Sequence, residues 1–405
     1  MSISKVFESD LWNKTKQLLL KKHFVLFVWI ALSFLTAGKQ IFINSYNNYL
    51  IFKYTFVHAL NHVNLYLPAP EYFDVNHYGP FFSLLIAPFA MMPDWMGMLL
   101  WQLANTLFLF WAITKLPVTE NQKIIILWLS THELLTSILS FQFNPSIAAI
   151  IILSFVCIEN KKDFWAAFFI ILGTFVKLYG IVGLAFFFFS KQKIKFIGSL
   201  LFWGVVFFIT PMIFFSPEYI LQSYQDWYVA LVEKNQINTS LSGSTDISVM
   251  GMVRRISGDP SIPNSPFILG GMLIFGLIYL RMTQYKHLAF RLLFLASILL
   301  FTVLFSSGAE SPTYIIAFIG VSIWFVMQPK PYTLTPIVLI LFALIITSLS
   351  PSDLFPRFIR DNYIRQYSLK GLPCFLILIF IWNALLRFDF SKNKSETATT
   401  NIDNE

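Results

Sequence analysis

Thirteen apolar segments recur along this 405-residue chain, and they leave little room for any fold but a bundle of membrane helices. They run over 23–43, 80–92, 95–114, 123–139, 145–158, 163–175, 177–190, 195–215, 266–281, 287–306, 312–328, 333–349 and 371–387. Many are long enough to cross a hydrocarbon core of about 30 Å. A chain that is 56% hydrophobic and only 12% charged does not read as a soluble fold. Nor do the runs alternate apolar and polar residues, as the strands of a membrane barrel would. The sequence predicts an all-α polytopic membrane protein. No loop is large enough to bury a core of its own, so a single integral-membrane domain is expected over 23–388.

Basic residues set the orientation. Residues 1–22 hold Lys5, Lys14, Lys16, Lys21 and Lys22 and are expected to form a cytoplasmic N-terminal segment. Their charge, the long apolar run behind them and the lack of a small-residue cleavage site argue against a removed signal. If 80–92 enters the membrane without crossing it, the other twelve segments cross and both termini are cytoplasmic. The short basic loops then fall inside, with Lys115 and Lys123, Lys161 and Lys162, Lys191, Lys193 and Lys195, Arg281, Lys286 and Arg291, and Lys330. Together with the N-terminal lysines and Arg387, Lys392 and Lys394, they make 19 of the 29 basic residues. The net charge of +8 is thus a topological signal and not a nucleic-acid footprint. The polar stretch 389–405 is expected to be a disordered cytoplasmic tail. Cys157 and Cys374, both in apolar segments, read as buried free thiols and say nothing about redox compartment.

The same orientation gathers the unusual polar segments outside: 44–79, the 141–145 turn, the Lys177 turn, 216–265, 306–312 and 350–370. The densest is Asn44–Pro80, which holds His58, His62 and His77, three of the six histidines, together with Glu71 and Asp74. A simple anchor has no need of such a cluster. Segments 145–158, 163–175 and 177–190 span only roughly 20 Å each, short of the bilayer. Lys161, Lys162 and Lys191 pin their inner ends. The turns Phe141–Pro145 and Val176–Gly180 are therefore expected to floor an outward-open vestibule, since irregular backbone at that depth must face protein or water.

The run from Asn47 to Trp95, NNYLIFKYTFVHALNHVNLY followed by YFDVNHYGPFFSLLIAPFAMMPDW, resembles the N-terminal motif of glycosyltransferase family 87. Gln142-Phe143-Asn144-Pro145 is similar to that family's Gln-x-Asn turn, and Phe175-Val176-Lys177-Leu178-Tyr179 to its intramembrane Lys motif. The resemblance covers about residues 23–387, in order. It implies a GT-C fold of about twelve transmembrane helices. It also implies transfer of a sugar, often mannose, from a polyprenyl-phosphate donor to a hydroxyl outside the cytoplasmic membrane, with inversion. The implied partners are membrane lipids, the polyprenyl-phosphate-linked sugar and a glycan or glycolipid acceptor of the cell envelope. No cofactor is expected beyond that donor. One departure stands out. Where the family has an acid at the start of the polar segment, this chain has Asn47 and Asn48, and asparagine is no base.

Inverting transfer needs a base within reach of the acceptor hydroxyl and positive charge for the leaving phosphate. Asp74 is the expected base and Glu71 the second candidate; the competing reading makes both solvated turn carboxylates. Lys177 interrupts an apolar stretch, where a charge costs about 2.5–3.5 kcal/mol, and is assigned to the phosphate rather than to snorkelling. Arg254 and Arg255 are secondary phosphate ligands, or a pair touching lipid headgroups. Asn48, His77, Tyr78, Gln142, Asn144 and Tyr179 are candidates for sugar or acceptor binding, against helix-start and turn roles for the amides. Glu310 could replace the base or orient sugar hydroxyls; otherwise it is a helix-start charge favoured by the dipole. His132 and Glu133 are expected to pair inside the bundle. His58 and His62 share a helix face, on an interfacial helix whose aromatic side, Tyr49, Phe52 and Phe56, should lie along the membrane. No metal is expected. Tyr224, Trp227 and Tyr228 are placed at headgroup level. Two other classes fit the composition: a transporter or flippase, though the halves show no clear repeat, and a non-catalytic protein that lost its base.

Overall fold

The structure is a computed structural model describing residues 15–392, apart from 16, 242 and 244. The expected N-terminal cytoplasmic segment lies largely outside the described residues, as does the tail from 393. Among the described residues there are helices and turns and no β-strand. In chain order the main helices are α1 Lys22–Phe42, α2 Asn47–Leu60, α3 Phe82–Ala90, α4 Asp94–Thr114, α5 Glu120–Leu139, α6 Asn144–Glu159 and α7 Asp163–Val176. A 3-10 helix, Leu178–Phe189, follows. Then come α8 Lys193–Phe214, α9 Pro217–Asn238, α10 Val249–Ser257, α11 Ser265–Tyr279, α12 Leu288–Leu304, α13 Tyr314–Val326, α14 Leu334–Phe342 and α15 Leu372–Arg387. Each of the thirteen apolar segments is helical. Among the described residues four helices are both long and apolar enough to cross a membrane: Lys22–Phe42, Asp94–Thr114, Lys193–Phe214 and Leu369–Arg387. Seven shorter apolar helices accompany them.

The centre of the bundle is made by helices that are apolar all round, as burial on every side requires. α6 is buried at nearly every position, as are α12 and α13. α12 packs on α13, α13 on α5, and α6 on both α4 and α7. In an apolar surrounding, lipid is as greasy as leucine, so interhelical hydrogen bonds add specificity. Here they tie α1 to α4 through Ser33–Thr106 at 2.9 Å and Thr36–Gln102 at 2.6 Å. Ser146 of α6 donates to Asn105 of α4 at 2.6 Å, and Trp29 of α1 to Thr131 of α5 at 2.9 Å.

A buried ion pair crosses the core. Lys370 lies 3.2 Å from Glu133, with side chains 3% and 0% exposed. Glu133 therefore pairs with a lysine 237 residues away and not with its neighbour His132. Breaking one half of such a pair strands a charge, whereas removing both need not destabilise. Lys370→Met alone is thus expected to cost about 3–5 kcal/mol, read as lost monodisperse protein on size-exclusion chromatography. The double variant Glu133→Leu/Lys370→Met is expected to recover most of it.

Several surface expectations are corrected. Tyr49 and Phe52 of α2 are 0% and 2% exposed, so the aromatic face of this helix packs into the protein and not along the membrane. Trp227 is 9% exposed and donates to His77 O at 2.9 Å, so its ring packs on protein; Tyr224 stacks on Phe208. Tyr228 is exposed. The polar region 216–265 is built mostly of the two helices α9 and α10. The first residues of the expected tail are ordered, because Phe390 is buried against Phe290 and its amide donates to Gln284.

Candidate active site

Lys177 stands where a helix fails. α7 is 14 residues long, about 21 Å, and stops at Lys177, whose backbone is extended at φ −152°, ψ 120°. The chain then turns back as the 12-residue 3-10 helix, about 24 Å long. The hairpin closes because two glycines meet: a Cβ on Gly180 would lie 2.2 Å from the Gly173 carbonyl carbon. A second close approach seats the end of the polar segment beside it. A Cβ on Gly79 would lie 2.1 Å from Phe175 O, and the Gly79 amide donates to Val176 O at 3.1 Å. The Phe175–Tyr179 turn and the segment ending at Pro80 are thus held together by backbone.

Above this floor lies a cavity of about 410 Å³. It is lined by Asn48, Asp74, His77, Tyr78, Gln142, Lys177, Tyr179 and Glu310 among the residues singled out from the sequence. These eight come from five separate stretches of chain. Lys177 Nζ donates to Asn144 Oδ1 at 2.8 Å. Its ammonium lies 5.5 Å from the Tyr78 ring centre and 4.9 Å from that of Tyr179, within cation–π range. Among the described residues it forms no ion pair. A half-buried cation facing a cavity, with no carboxylate in direct ion-pair contact, is suited to bind an anion.

Asp74 takes positive φ, 71°, a conformation that a side chain rarely adopts and that clusters at functional positions. Its carboxylate lies 3.8 Å from His77 Nε2 and 3.2 Å from Lys234 Nζ. The His77 imidazole first, and then the Lys234 ammonium, hold its pKa well below the usual carboxylate range. Glu310 faces the same cavity and caps the turn before α13 in a capping box with Thr313. Tyr179 OH bonds Ser306 Oγ at 2.8 Å, Tyr78 OH donates to Gln142 at 3.4 Å, and Asn48 donates to Ser140 O at 2.8 Å.

Four candidates lie elsewhere. Glu71 sits 3.7 Å from His58 and does not line the cavity, because the chain turns between it and Asp74. His62, on the same helix face by spacing, instead stacks on Tyr219. Arg254 is fully buried and bonded to Asp246 at 2.6 Å and to Ile262 O and Asn264. Arg255 donates to Leu241, Gly243 and Thr245 carbonyls and lines a second cavity of about 610 Å³ with Arg360 and Lys370. Both arginines therefore serve partners in their own loop region rather than face the Lys177 cavity. Asn144 is 1% exposed and stands behind Lys177 as its support.

The sequence reading missed the helix that roofs the site. Leu231, Lys234, Asn235 and Asn238 of α9 line the cavity, with Ser306 and Ser307. The signal was the spacing i, i+3, i+4, i+7 within an otherwise polar helix. Within the cavity wall, three buried polar atoms lack any hydrogen-bond partner: both ring nitrogens of His77 and Asn238 Oδ1. Among the described residues no three His, Cys, Asp or Glu side chains converge as a metal site would need.

The family model for glycosyltransferase family 87 matches residues 76–307. That span contains His77, Tyr78, the Gln142 turn, the Lys177 hairpin and the whole of α9, and it covers more than half of the chain. No curated protein matches the sequence. This polytopic helical membrane protein, with its polar cavity at the Lys177 hairpin, belongs to glycosyltransferase family 87.

Proposed function

We propose that this glycosyltransferase moves a hexose, such as mannose, from a polyprenyl-phosphate donor to a lipid-linked or envelope glycan hydroxyl, with inversion, on the outer face of the cytoplasmic membrane. The supporting observation is the union of one lysine ammonium and two carboxylates around one polar cavity. In this reading Lys177 binds the leaving phosphate, with Asn144 fixing its side chain. Asp74 takes the acceptor proton. Glu310, His77, Gln142 and Asn48 orient hydroxyls, and Tyr78 and Tyr179 flank the phosphate ligand. Twelve crossings with both termini cytoplasmic put this cavity outside, as the distribution of lysine and arginine favours. The GT-C architecture belongs to the same proposal. The bound partners would be the lipid-linked sugar and a glycan or glycolipid acceptor.

Purified protein in nanodiscs, given radiolabelled polyprenyl-phosphate hexoses and envelope glycolipid extract, is expected to yield a labelled glycolipid. The new linkage should have the anomeric configuration opposite to that of the donor. Movement of donor lipid across the bilayer without any product would oppose the proposal and favour a transporter.

The pH profile follows from the geometry. A base must be ionised, so activity is lost as pH falls through its pKa. With His77 and Lys234 beside it, the Asp74 limb should lie below about pH 4. Lys234→Met removes the ammonium beside Asp74, so the acid limb of kcat/KM is expected to move upward. An unshifted limb would disconnect Asp74 from the proton transfer.

A further inference from the structure

The second cavity, about 610 Å³, is of a size that takes a small ligand or a headgroup. Among the described residues four cations line it, Arg255, Arg360, Arg365 and Lys370, against one carboxylate, Asp361. Three of the four have carboxylate partners. Arg360 pairs with Asp353 and Asp361, Arg365 with Asp361, and Lys370 with Glu133. Arg255 forms no ion pair among the described residues; its bonds go to the carbonyls of Leu241, Gly243 and Thr245. The charge around this cavity is therefore positive, and arginine forks suit a phosphate.

Two further observations say what would carry that phosphate. The stretch 354–365, which brings Arg360 and Arg365 to the cavity, also exposes Leu354, Phe358, Ile359 and Tyr363. Exposed large apolar side chains interleaved with arginines suit a membrane surface, where phosphates belong to lipids. The cavity is also a neighbour of the Lys177 cavity. Glu310 lines one and Ser311 the other, so a single turn of chain lies between them.

We propose that this cavity binds the phosphate of a lipid-anchored acceptor, so that the acceptor is an anionic glycolipid held by its phosphate here while its reacting hydroxyl enters the Lys177 cavity. This rests on the reading of the Lys177 cavity as the transfer site. Arg255 and Arg365 would then act on acceptor binding and leave the chemical step to the residues of the other cavity.

The test has a binding arm and an activity arm, both with the full chain. For binding, Lys177→Ala protein, which removes the other cavity's cation, is titrated by native mass spectrometry with dioleoyl phosphatidic acid, dioleoylglycerol and inorganic phosphate. Phosphatidic acid is expected to bind best, and Arg255→Met and Arg365→Gln each to weaken it about tenfold, the loss of one charge-assisted bond. Arg365 is exposed, so its variant serves if Arg255→Met does not fold. Unchanged binding in both variants would overturn the site, and equal binding of inorganic phosphate would overturn its lipid source. For activity, the envelope glycolipid extract is divided by anion exchange into neutral and anionic fractions and offered with labelled donor. Label is expected in the anionic fraction, and Arg365→Gln should raise the KM for that fraction about tenfold with kcat little changed. Label in the neutral fraction at an equal or higher rate would overturn the acceptor assignment. A wild type that uses no lipid-linked sugar would refute the transfer-site reading and the acceptor role with it, while the binding arm still decides whether the phosphate site exists.

Discussion

Lys177→Ala is expected to lower kcat about 100- to 1000-fold, the loss that follows removal of one preorganised donor from a developing anion. The size of the effect comes from the setting. The ammonium is half-buried, held by Asn144 at 2.8 Å and flanked by two tyrosine rings, and it has no ion-pair partner among the described residues. In such a site a charge interacts far more strongly than in water. The phosphate of the proposed donor gains charge as the sugar leaves, so the lysine acts on the transition state and not merely on binding. Lys177→Arg keeps the charge but not the compact shape that fits between the rings, and it is expected to recover only part of the rate. The fold should survive the alanine change, because the hairpin is closed by Gly173 and Gly180 and not by the lysine side chain. Single-turnover rates with protein whose chromatographic profile matches wild type provide the check. A loss confined to KM would assign Lys177 to ground-state binding alone.

Asp74→Asn is expected to lower kcat about 100- to 10,000-fold, the range for removing a general base. Asparagine is close in shape and can still accept from Lys234 at the site of the present 3.2 Å contact, so misfolding is not the expected cause. Glu310→Gln is the informative companion, since Glu310 is the other carboxylate on the cavity. If Asp74→Asn keeps wild-type kcat while Glu310→Gln loses it, the base is Glu310 and Asp74 merely anchors α9 through Lys234.

Much of this was legible in the sequence, for identifiable reasons. The thirteen helices could be read because apolar length and basic punctuation are local properties, and the Lys177 break because a charge inside an apolar run is costly. The convergence of Asp74, Gln142, Lys177 and Glu310 on one cavity followed from placing their loops on one side. What escaped was long-range pairing. Glu133 looked like a partner for the adjacent His132, but Lys370 lies 237 residues away in sequence and reaches it only through packing. Arg254 and Arg255 looked free, since nothing local shows that Asp246 and the carbonyls of Leu241, Gly243 and Thr245 claim them. Glu71 and Asp74 are three residues apart, yet the positive-φ turn at Asp74 sends them to different partners. The aromatic stripe of α2 was assigned to lipid because hydropathy alone does not distinguish a lipid-facing stripe from a core-facing one.

The most direct measurement is a cryo-EM structure of the protein with a non-hydrolysable polyprenyl-phosphonate hexose. The account places the phosphonate within hydrogen-bond distance of Lys177 Nζ and the sugar ring between Asp74 and Glu310. Ligand density in the Arg255–Lys370 cavity, with the Lys177 cavity empty, would contradict it.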